Sequence, residues 1–142
     1  MNGVDDLENI FLIAATNRPE IIDRAILRPE RLGVHLYVPL PSIQDRISIL
    51  KTICKKKPLA NDVNMESLVQ KFKFEGFSGA DLNSLVETAA RKAAWESEDY
   101  TNENKIFEGI RQKEFERASL EIKPSVGKKE SKYYEGLRDN FI

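Results

Sequence analysis

The sequence predicts an α/β segment in the amino-terminal part, followed by an all-α region. The first observation is an uninterrupted apolar run at residues 10–15, which is typical of a strand covered on both faces. The second is a pair of prolines, Pro39 and Pro41, which marks a hinge between two parts of the chain. The third is a change from alternating to helical hydrophobic periodicity after Ser42. The boundary between the two parts is therefore expected close to these prolines.

Composition limits the classes of function. The 142 residues carry a formal net charge of -1, with 41% hydrophobic and 32% charged residues. This balance is typical of a globular protein and gives no general attraction for nucleic acid. The single cysteine, Cys54, cannot form an internal disulfide and suits a reducing, intracellular compartment. No apolar run approaches the roughly 18 residues of a membrane span, so we expect no membrane partner.

Two strands and one short helix are predicted before the prolines. The first strand, residues 10–15, places Asn17 at its carboxyl end, where open α/β sheets bind ligands. Apolar residues at 22, 25 and 26 have helical spacing, and Pro29 would stop this short helix. Residues 34–38 alternate and predict a second strand. The first strand would have no neighbours within this chain and would leave a hydrophobic edge. In isolation we therefore expect this segment to be disordered, covered by the chain's own helices, or paired with another copy.

The region after the prolines predicts five helices. Ser42, Asn64 and Ser78 are suitable amino-terminal caps for the first three. Ser78 has Asp81 three residues later, which makes a variant capping box. The first helix would end at Pro58.

The last part of the chain is less regular. The third helix would end near residue 98, and the polar residues 100–109 predict a surface loop. A fourth helix is predicted at residues 112–123, although Arg111 is a poor cap. Ser131 would cap a terminal helix.

Four short motifs make the chain resemble the AAA ATPases over nearly its whole length. They are Ala-Thr-Asn-Arg-Pro at 15–19, Leu-Arg-Pro-Glu-Arg-Leu at 27–32, Pro-Leu-Pro at 39–41 and Phe-Ser-Gly-Ala-Asp-Leu at 77–82. Their order and approximate spacing are those of the family. Pro-Ser-Val at 124–126 and Tyr-Glu at 134–135 resemble the valosin-containing protein branch. Segments 57–59 and 62–64 are similar to the second ATPase domain of a nuclear subgroup of that branch.

The resemblance implies the domain organisation. Residues 1–40 would be the carboxyl-terminal part of a P-loop AAA large α/β subdomain. Residues 41–142 would be the helical-bundle small subdomain, the lid, with a carboxyl-terminal helix. The fold class is thus an α/β fragment plus an all-α lid. Residues 1–6 resemble the end of a helix-and-loop piece of the large subdomain, so the chain is expected to begin partway through it.

The resemblance also implies the activity. The parent protein would form a homo-hexameric ring that uses ATP and Mg²⁺ to remodel protein or ribonucleoprotein substrates. Ribosome biogenesis in the nucleus or nucleolus would be its task, with the cytoplasm as the alternative location. The chain contains no Gly-x-x-x-x-Gly-Lys-Ser/Thr loop and no apolar strand that ends in Asp-Glu. Without these groups to hold phosphates and Mg²⁺, the chain alone is expected not to hydrolyse ATP.

Three candidate catalytic residues follow from the same resemblance. Asn17 matches sensor 1, whose amide orients the attacking water, and the alternative is an asparagine that caps a turn. Arg28 and Arg31 match the arginine fingers, which reach the γ-phosphate held by a neighbouring subunit. The planar guanidinium suits this task because it contacts phosphate oxygens with two hydrogen bonds. The alternative is a pair of surface arginines that form ion pairs with nearby acidic residues.

The finger segment departs from the family at three positions. Arg24 replaces the usual proline, Glu30 replaces glycine and Gly33 replaces aspartate. Glu30 lies between the two finger arginines and could pair with either. Such a pair would compete with phosphate for the arginine.

Three further residues match nucleotide-contacting positions of the family. Gly79 and Ala80 match the sensor 2 region at a helix start, and the alternative is simply a well-capped helix. Ile49 matches a position in the adenine pocket, and a plain core residue is an equal alternative. No metal site is predicted, because His35 is the only histidine and has no accompanying ligand cluster.

Two rival functions remain open from the sequence. The first is a helical protein-interaction module with vestigial nucleotide motifs, for which Glu30 would be a sign of decay. The second is a helical nucleic-acid-binding domain, which the balanced charge disfavours. Trp95 fits either a core position or a partner surface.

Overall fold

The computed structural model describes residues 10–97 and 109–141, with side chains as far as Arg138. Residue contacts divide the chain into two compact units. One contains residues 1–38 and 138–142, and the other is Pro39–Leu137. The predicted surface loop at 100–109 lies outside the described residues, except for Gly109. Residues 1–6, which were expected to be the end of a helix-and-loop piece, also lie outside them.

The two predicted strands of the first unit are not formed. Residues 10–15 and 34–38 form neither a helix nor a strand and are almost entirely exposed. Phe11 is 95% exposed and Ile13 is 92% exposed. The strand predicted at residues 34–38 was therefore wrong for this chain, and residues 10–15 do not form an ordered strand, which is one of the outcomes expected for that segment in isolation. The reason is physical, because a strand forms only when a neighbour satisfies its backbone hydrogen bonds.

The predicted short helix around residues 22–26 is also replaced by turns. A 3₁₀ helix occurs earlier, at Pro19–Ile21. The amide of Ile26 donates to the carbonyl of Asp23 at 2.9 Å, and that of Leu27 donates to the carbonyl of Arg24 at 3.2 Å. Hydrogen bonds between residues three positions apart close single turns here, and they do not continue into an α-helix. Pro29 cannot continue the ladder because it has no amide hydrogen.

The second unit begins with two helices whose starts are at the predicted positions, although the first ends at Cys54, before the Pro58 where its end was predicted. Helix α1 is Ile43–Cys54, and Ser42 caps it in a reciprocal capping box with Asp45. Helix α2 is Met65–Phe72, where Asn64 Oδ1 accepts from the amide of Ser67 at 2.8 Å.

Arg46 joins these two helices. It is a buried residue of α1, and its Nη1 donates to the carbonyl of Lys73 at 2.6 Å. Lys73 ends α2 in a left-handed conformation with φ 56°. A cation at this position also suits the negative end of the α2 dipole.

Helices α3 and α4 follow the predicted pattern. Helix α3 is Gly79–Ser97 and packs against both α1 and α4. Helix α4 is Gln112–Glu121, two residues shorter than predicted. Arg111 supplies no side-chain cap, as expected, and Glu114 instead accepts from the Arg111 amide at 2.9 Å.

The terminal helix, α5, spans Lys128–Phe141 and begins earlier than predicted. Ser131 lies inside the helix, so its prediction as the cap was wrong. Gly127 precedes the helix instead, and Glu130 in the first turn accepts from the Gly127 amide through its Oε2 at 2.9 Å. The first turn then closes with the Ser131 amide donating to the carbonyl of Gly127 at 2.9 Å.

The core of the second unit is formed by apolar faces of α1 to α4. Its fully buried large side chains include Leu50, Leu68, Leu82, Leu85 and Phe115. A parallel bridge between Leu59 and Ile110 is the only β pairing in the described ranges. Trp95 lies at the surface, 74% exposed, so the structure excludes a core position for it. In those same ranges no helix is long and apolar enough to span a membrane.

The buried stripe of α3 yields a stability prediction. Leu85→Ala should lower the free energy of unfolding by about 2–5 kcal/mol, because it leaves a cavity among fully buried side chains. Leu120→Ala is the matched control, since Leu120 is 79% exposed, and should change stability by less than about 0.5 kcal/mol. Urea denaturation followed by circular dichroism measures both. Equal losses in the two variants would contradict the described core.

Candidate functional site: two arginines in one unit and a capped helix start in the other

Asn17 lies at a bend and is exposed. The residue before it, Thr16, accepts from the amide of Arg18 through its Oγ1 at 3.0 Å. The predicted strand end is not formed here, so the position of Asn17 relative to a sheet edge is not reproduced. The amide side chain is nevertheless on the surface.

Arg28 and Arg31 occur together in one exposed turn. The amide of Arg31 donates to the carbonyl of Arg28 at 2.9 Å, and the amide of Leu32 donates to the carbonyl of Ile26 at 3.1 Å. These bonds close the turn that carries both guanidinium groups.

The predicted competition from acidic residues is not observed. Among the described residues, neither Arg28 nor Arg31 forms an ion pair, and Glu30 forms none either. Glu20 pairs instead with Arg18 at 2.9 Å, and this hydrogen bond lowers the pKa of Glu20. Asp23 accepts from the amide of Ala25 at 2.8 Å. The alternative of two paired surface arginines therefore loses its proposed partners.

Gly33 has a structural role in this turn. A Cβ at this position would lie 2.6 Å from Pro29 Cα and 2.7 Å from the Pro29 carbonyl oxygen. Such distances are too short for any side chain, so the turn requires glycine. The departure from the aspartate of the family is thus linked to the close approach of the backbone at Pro29.

The start of α3 carries Gly79 and Ala80, both exposed. A Cβ at Gly79 would meet nothing within 4 Å, so the surface there is open. The predicted capping box is confirmed, because Ser78 donates through its amide to Asp81 Oδ2 at 2.8 Å and accepts from the Asp81 amide at 3.3 Å. An α-helix leaves its first-turn amides without partners inside the helix. This helix start therefore presents small residues and backbone donors at the surface.

Asp81 has a second partner that the sequence reasoning missed. Its Oδ2 accepts from Ser125 Oγ at 2.7 Å and from the Ser125 amide at 3.2 Å, besides Ser78. Burial acts to raise the pKa of Asp81, but the hydrogen bonds from Ser125 and Ser78 outweigh it and lower the pKa. Ser125 is 44 residues away in sequence, so local pattern alone could not have identified it.

Ile49 is half-buried and packs against the hydrophobic core of the second unit. This position fits the core alternative, and the exposed part of its side chain remains available at the surface. Ile49, Gly79 and Ala80 all belong to this unit, whereas Asn17, Arg28 and Arg31 belong to the other. Across the described ranges no group of three or more potential metal ligands occurs.

Comparison with known families identifies the chain. Residues 1–40 match the model of the ATPase family associated with various cellular activities (AAA), and residues 62–109 match that of the AAA+ lid domain. Together these matches cover more than half of the chain. The chain belongs to the AAA ATPase family. Its fold class is accordingly that of an AAA large-subdomain fragment followed by a helical lid.

The AAA chain is also similar to curated relatives. It is 42% identical over 144 residues to "Nuclear valosin-containing protein-like" of Mus musculus, over 97% of the chain and 17% of that protein. It is 40% identical over 140 residues to "Putative ribosome biogenesis ATPase nvl" of Dictyostelium discoideum, over 99% of the chain and 16% of that protein.

A third relative, "Cell division cycle protein 48 homolog" of Archaeoglobus fulgidus, is 38% identical over 147 residues, covering 99% of the chain and 20% of that protein. The chain thus spans about a fifth or less of the length of these relatives.

The Asp81 hydrogen bonds predict a pH dependence. Because the pKa of Asp81 is lowered on folding, its stabilisation is present above the ordinary pKa of about 3.9. It is lost as pH falls through the lower folded value. Urea titrations at about pH 7 should show a stability loss in Asp81→Asn that shrinks by about pH 3.

Asp23→Asn is the control for this prediction, since Asp23 is an exposed aspartate of the other unit. It should leave the unfolding of the second unit unchanged at both pH values. A loss in Asp81→Asn that persists undiminished in acid would contradict the assigned role of the carboxylate.

Proposed function

We propose that this chain is the carboxyl-terminal part of an AAA ATPase module that acts in a hexameric ring. Residues 1–40 would belong to the large α/β subdomain, and residues 41–142 would form the lid with its terminal helix. The longer protein would couple ATP binding and hydrolysis to remodelling of protein or ribonucleoprotein substrates. The single observation that carries this proposal is that Arg28 and Arg31 are exposed and form no ion pair with any described residue, in a turn matched by the family model.

The chemistry of the two arginines supports a role at a phosphate. A guanidinium stays charged at every physiological pH and donates through a planar fork that fits phosphate oxygens. In this chain no described carboxylate occupies either fork. We propose that both groups act on nucleotide held by a neighbouring subunit, as trans-acting arginine fingers. A finger of this kind is worth about 10³ to 10⁵ in turnover.

The remaining site residues would act on nucleotide in two ways. Asn17, exposed at its bend, would orient the attacking water as sensor 1. Gly79 and Ala80 would place the backbone of the α3 start against the nucleotide, and their exposure supports this. Ile49 would contribute the exposed part of its side chain to the adenine pocket.

The groups that hold phosphates and Mg²⁺ are proposed to lie outside this chain. The sequence has no phosphate-binding loop, and the described residues contain no cluster of potential metal ligands that would fit Mg²⁺. The much greater length of the relatives leaves room for these segments in the longer protein. We therefore propose that the 142-residue chain is inactive alone.

The names of two relatives support a biological setting. One is called a putative ribosome biogenesis ATPase and another a nuclear valosin-containing protein-like protein. We propose ribosome biogenesis in the nucleus, including the nucleolus, with a cytoplasmic site as the alternative. We propose no direct sequence-specific nucleic acid contact, since the net charge is -1.

Arg31→Ala in the full-length protein tests the finger assignment. ATP binding should be retained, and turnover should fall by about a thousandfold or more. Arg31→Lys should lose most turnover as well, because lysine keeps the charge without the fork. Arg24→Ala is the matched control, an exposed arginine in the preceding turn, and should retain turnover.

Unchanged turnover in Arg31→Ala would remove the finger assignment. Asn17→Ala separates the proposal from the rival interaction module, which predicts no change in turnover. A loss of turnover with retained ATP binding in Asn17→Ala would exclude vestigial nucleotide motifs.

A further inference from the structure

The turn between α4 and α5 is attached to the start of α3 through one carboxylate oxygen. Asp81 Oδ2 accepts four hydrogen bonds, and two of these come from Ser125. The other two come from Ser78, within the capping box. Ser125 Oγ also lies 3.3 Å from Ser78 Oγ. Two serines from distant parts of the chain thus converge on the residue that fixes the first turn of α3.

A backbone contact independently places the same turn against the segment before α3. Gly76 has φ 79°, and a Cβ there would lie 2.8 Å from the Val126 carbonyl oxygen and 3.1 Å from Pro124 Cβ. Only glycine permits both this conformation and this approach. The turn at 124–126 therefore contacts the chain on both sides of the α3 cap.

We propose that Ser125 is a positioning residue that sets nucleotide affinity by holding the first turn of α3 through Asp81. The inference rests on the proposed function, in which Gly79 and Ala80 contact nucleotide. Those two residues lie directly between the capping Ser78 and the carboxylate of Asp81. A hydroxyl on the α4–α5 turn thus fixes the backbone that would meet the ligand.

The position of Ser125 makes this role separable from folding. The capping box between Ser78 and Asp81 does not involve the Ser125 hydroxyl, so Ser125→Ala leaves the helix cap in place. Ser125 is exposed, and its removal creates no core cavity. The residue also lies beyond residues 62–109, which the lid family model matches.

The test compares three variants of the full-length protein. Ser125→Ala should raise KM for ATP by about tenfold with kcat nearly unchanged, the effect of losing one hydrogen bond to a charged group. Ser125→Thr should restore KM because it keeps the hydroxyl. Ser131→Ala is the matched control, since it removes a serine-to-carboxylate bond to Glu135 within α5 and should leave KM unchanged.

An unchanged KM for ATP in Ser125→Ala would overturn the proposal. An equal rise of KM in Ser131→Ala would overturn it too, and so would a KM in Ser125→Thr that is not restored to the wild-type value. If Ser125→Ala keeps the wild-type KM for ATP while Arg31→Ala loses turnover, this inference is refuted and the proposed function stands. Active Arg31→Ala would refute the finger assignment instead.

A second measurement uses the 142-residue chain and requires no turnover. Hydrogen exchange of the backbone amides at residues 78–82 should be faster in Ser125→Ala than in the wild type, and unaltered in Ser131→Ala. Wild-type exchange rates in Ser125→Ala would overturn the proposal.

Discussion

The second unit depends on one buried stripe along α3. Leu82, Leu85 and Val86 provide bulk near its start, whereas Ala89 and Ala93 provide small surfaces further along. Small side chains let neighbouring helices approach closely, and α3 packs against both α1 and α4. Because protein interiors are close-packed, the position of this helix constrains every element that surrounds it. The residues at its start are thereby presented by a fixed scaffold.

Polar interactions at the two ends of α3 favour one arrangement of this packing. Glu96, near the end of α3, pairs with Lys113 at 2.6 Å and also with Arg117, both on α4. These groups are largely exposed, so the pairs contribute little stability and mainly favour one register of the two helices. The Asp81 carboxylate performs a related task at the other end of α3, where it is partly shielded and accepts from two serines. The helix is thus constrained at both ends.

The amino-terminal unit is organised differently, because its conformation depends on backbone turns. Arg28 and Arg31 are brought to the same turn by backbone hydrogen bonds between residues three and six positions apart. Gly33 permits the close approach to Pro29 that this turn contains. A surface guanidinium without an acidic neighbour keeps its donors available for an anion. The turn therefore supplies the accessibility that recognition of phosphate would require.

Much of the helical unit could be predicted from the sequence alone. The caps at Ser42, Asn64 and Ser78 and the hydrophobic spacing identified α1, α2 and α3, because these signals act within one turn of chain. The motifs at 15–32 and 77–82 indicated the AAA family by residue identity. Ser125 as a partner of Asp81 was not predictable, since the contact joins residues 44 positions apart.

The sequence by itself therefore determined the starts of α1, α2 and α3 with their caps, and it indicated the family. The tertiary structure decided three things that no local pattern encodes. The apolar segments 10–15 and 34–38 remain without strand structure because strands need partners. Trp95 lies at the surface, and Asp81 accepts from the distant Ser125 in addition to its local partner Ser78. Each outcome depends on which segments meet in space, and helical periodicity carries no information about that.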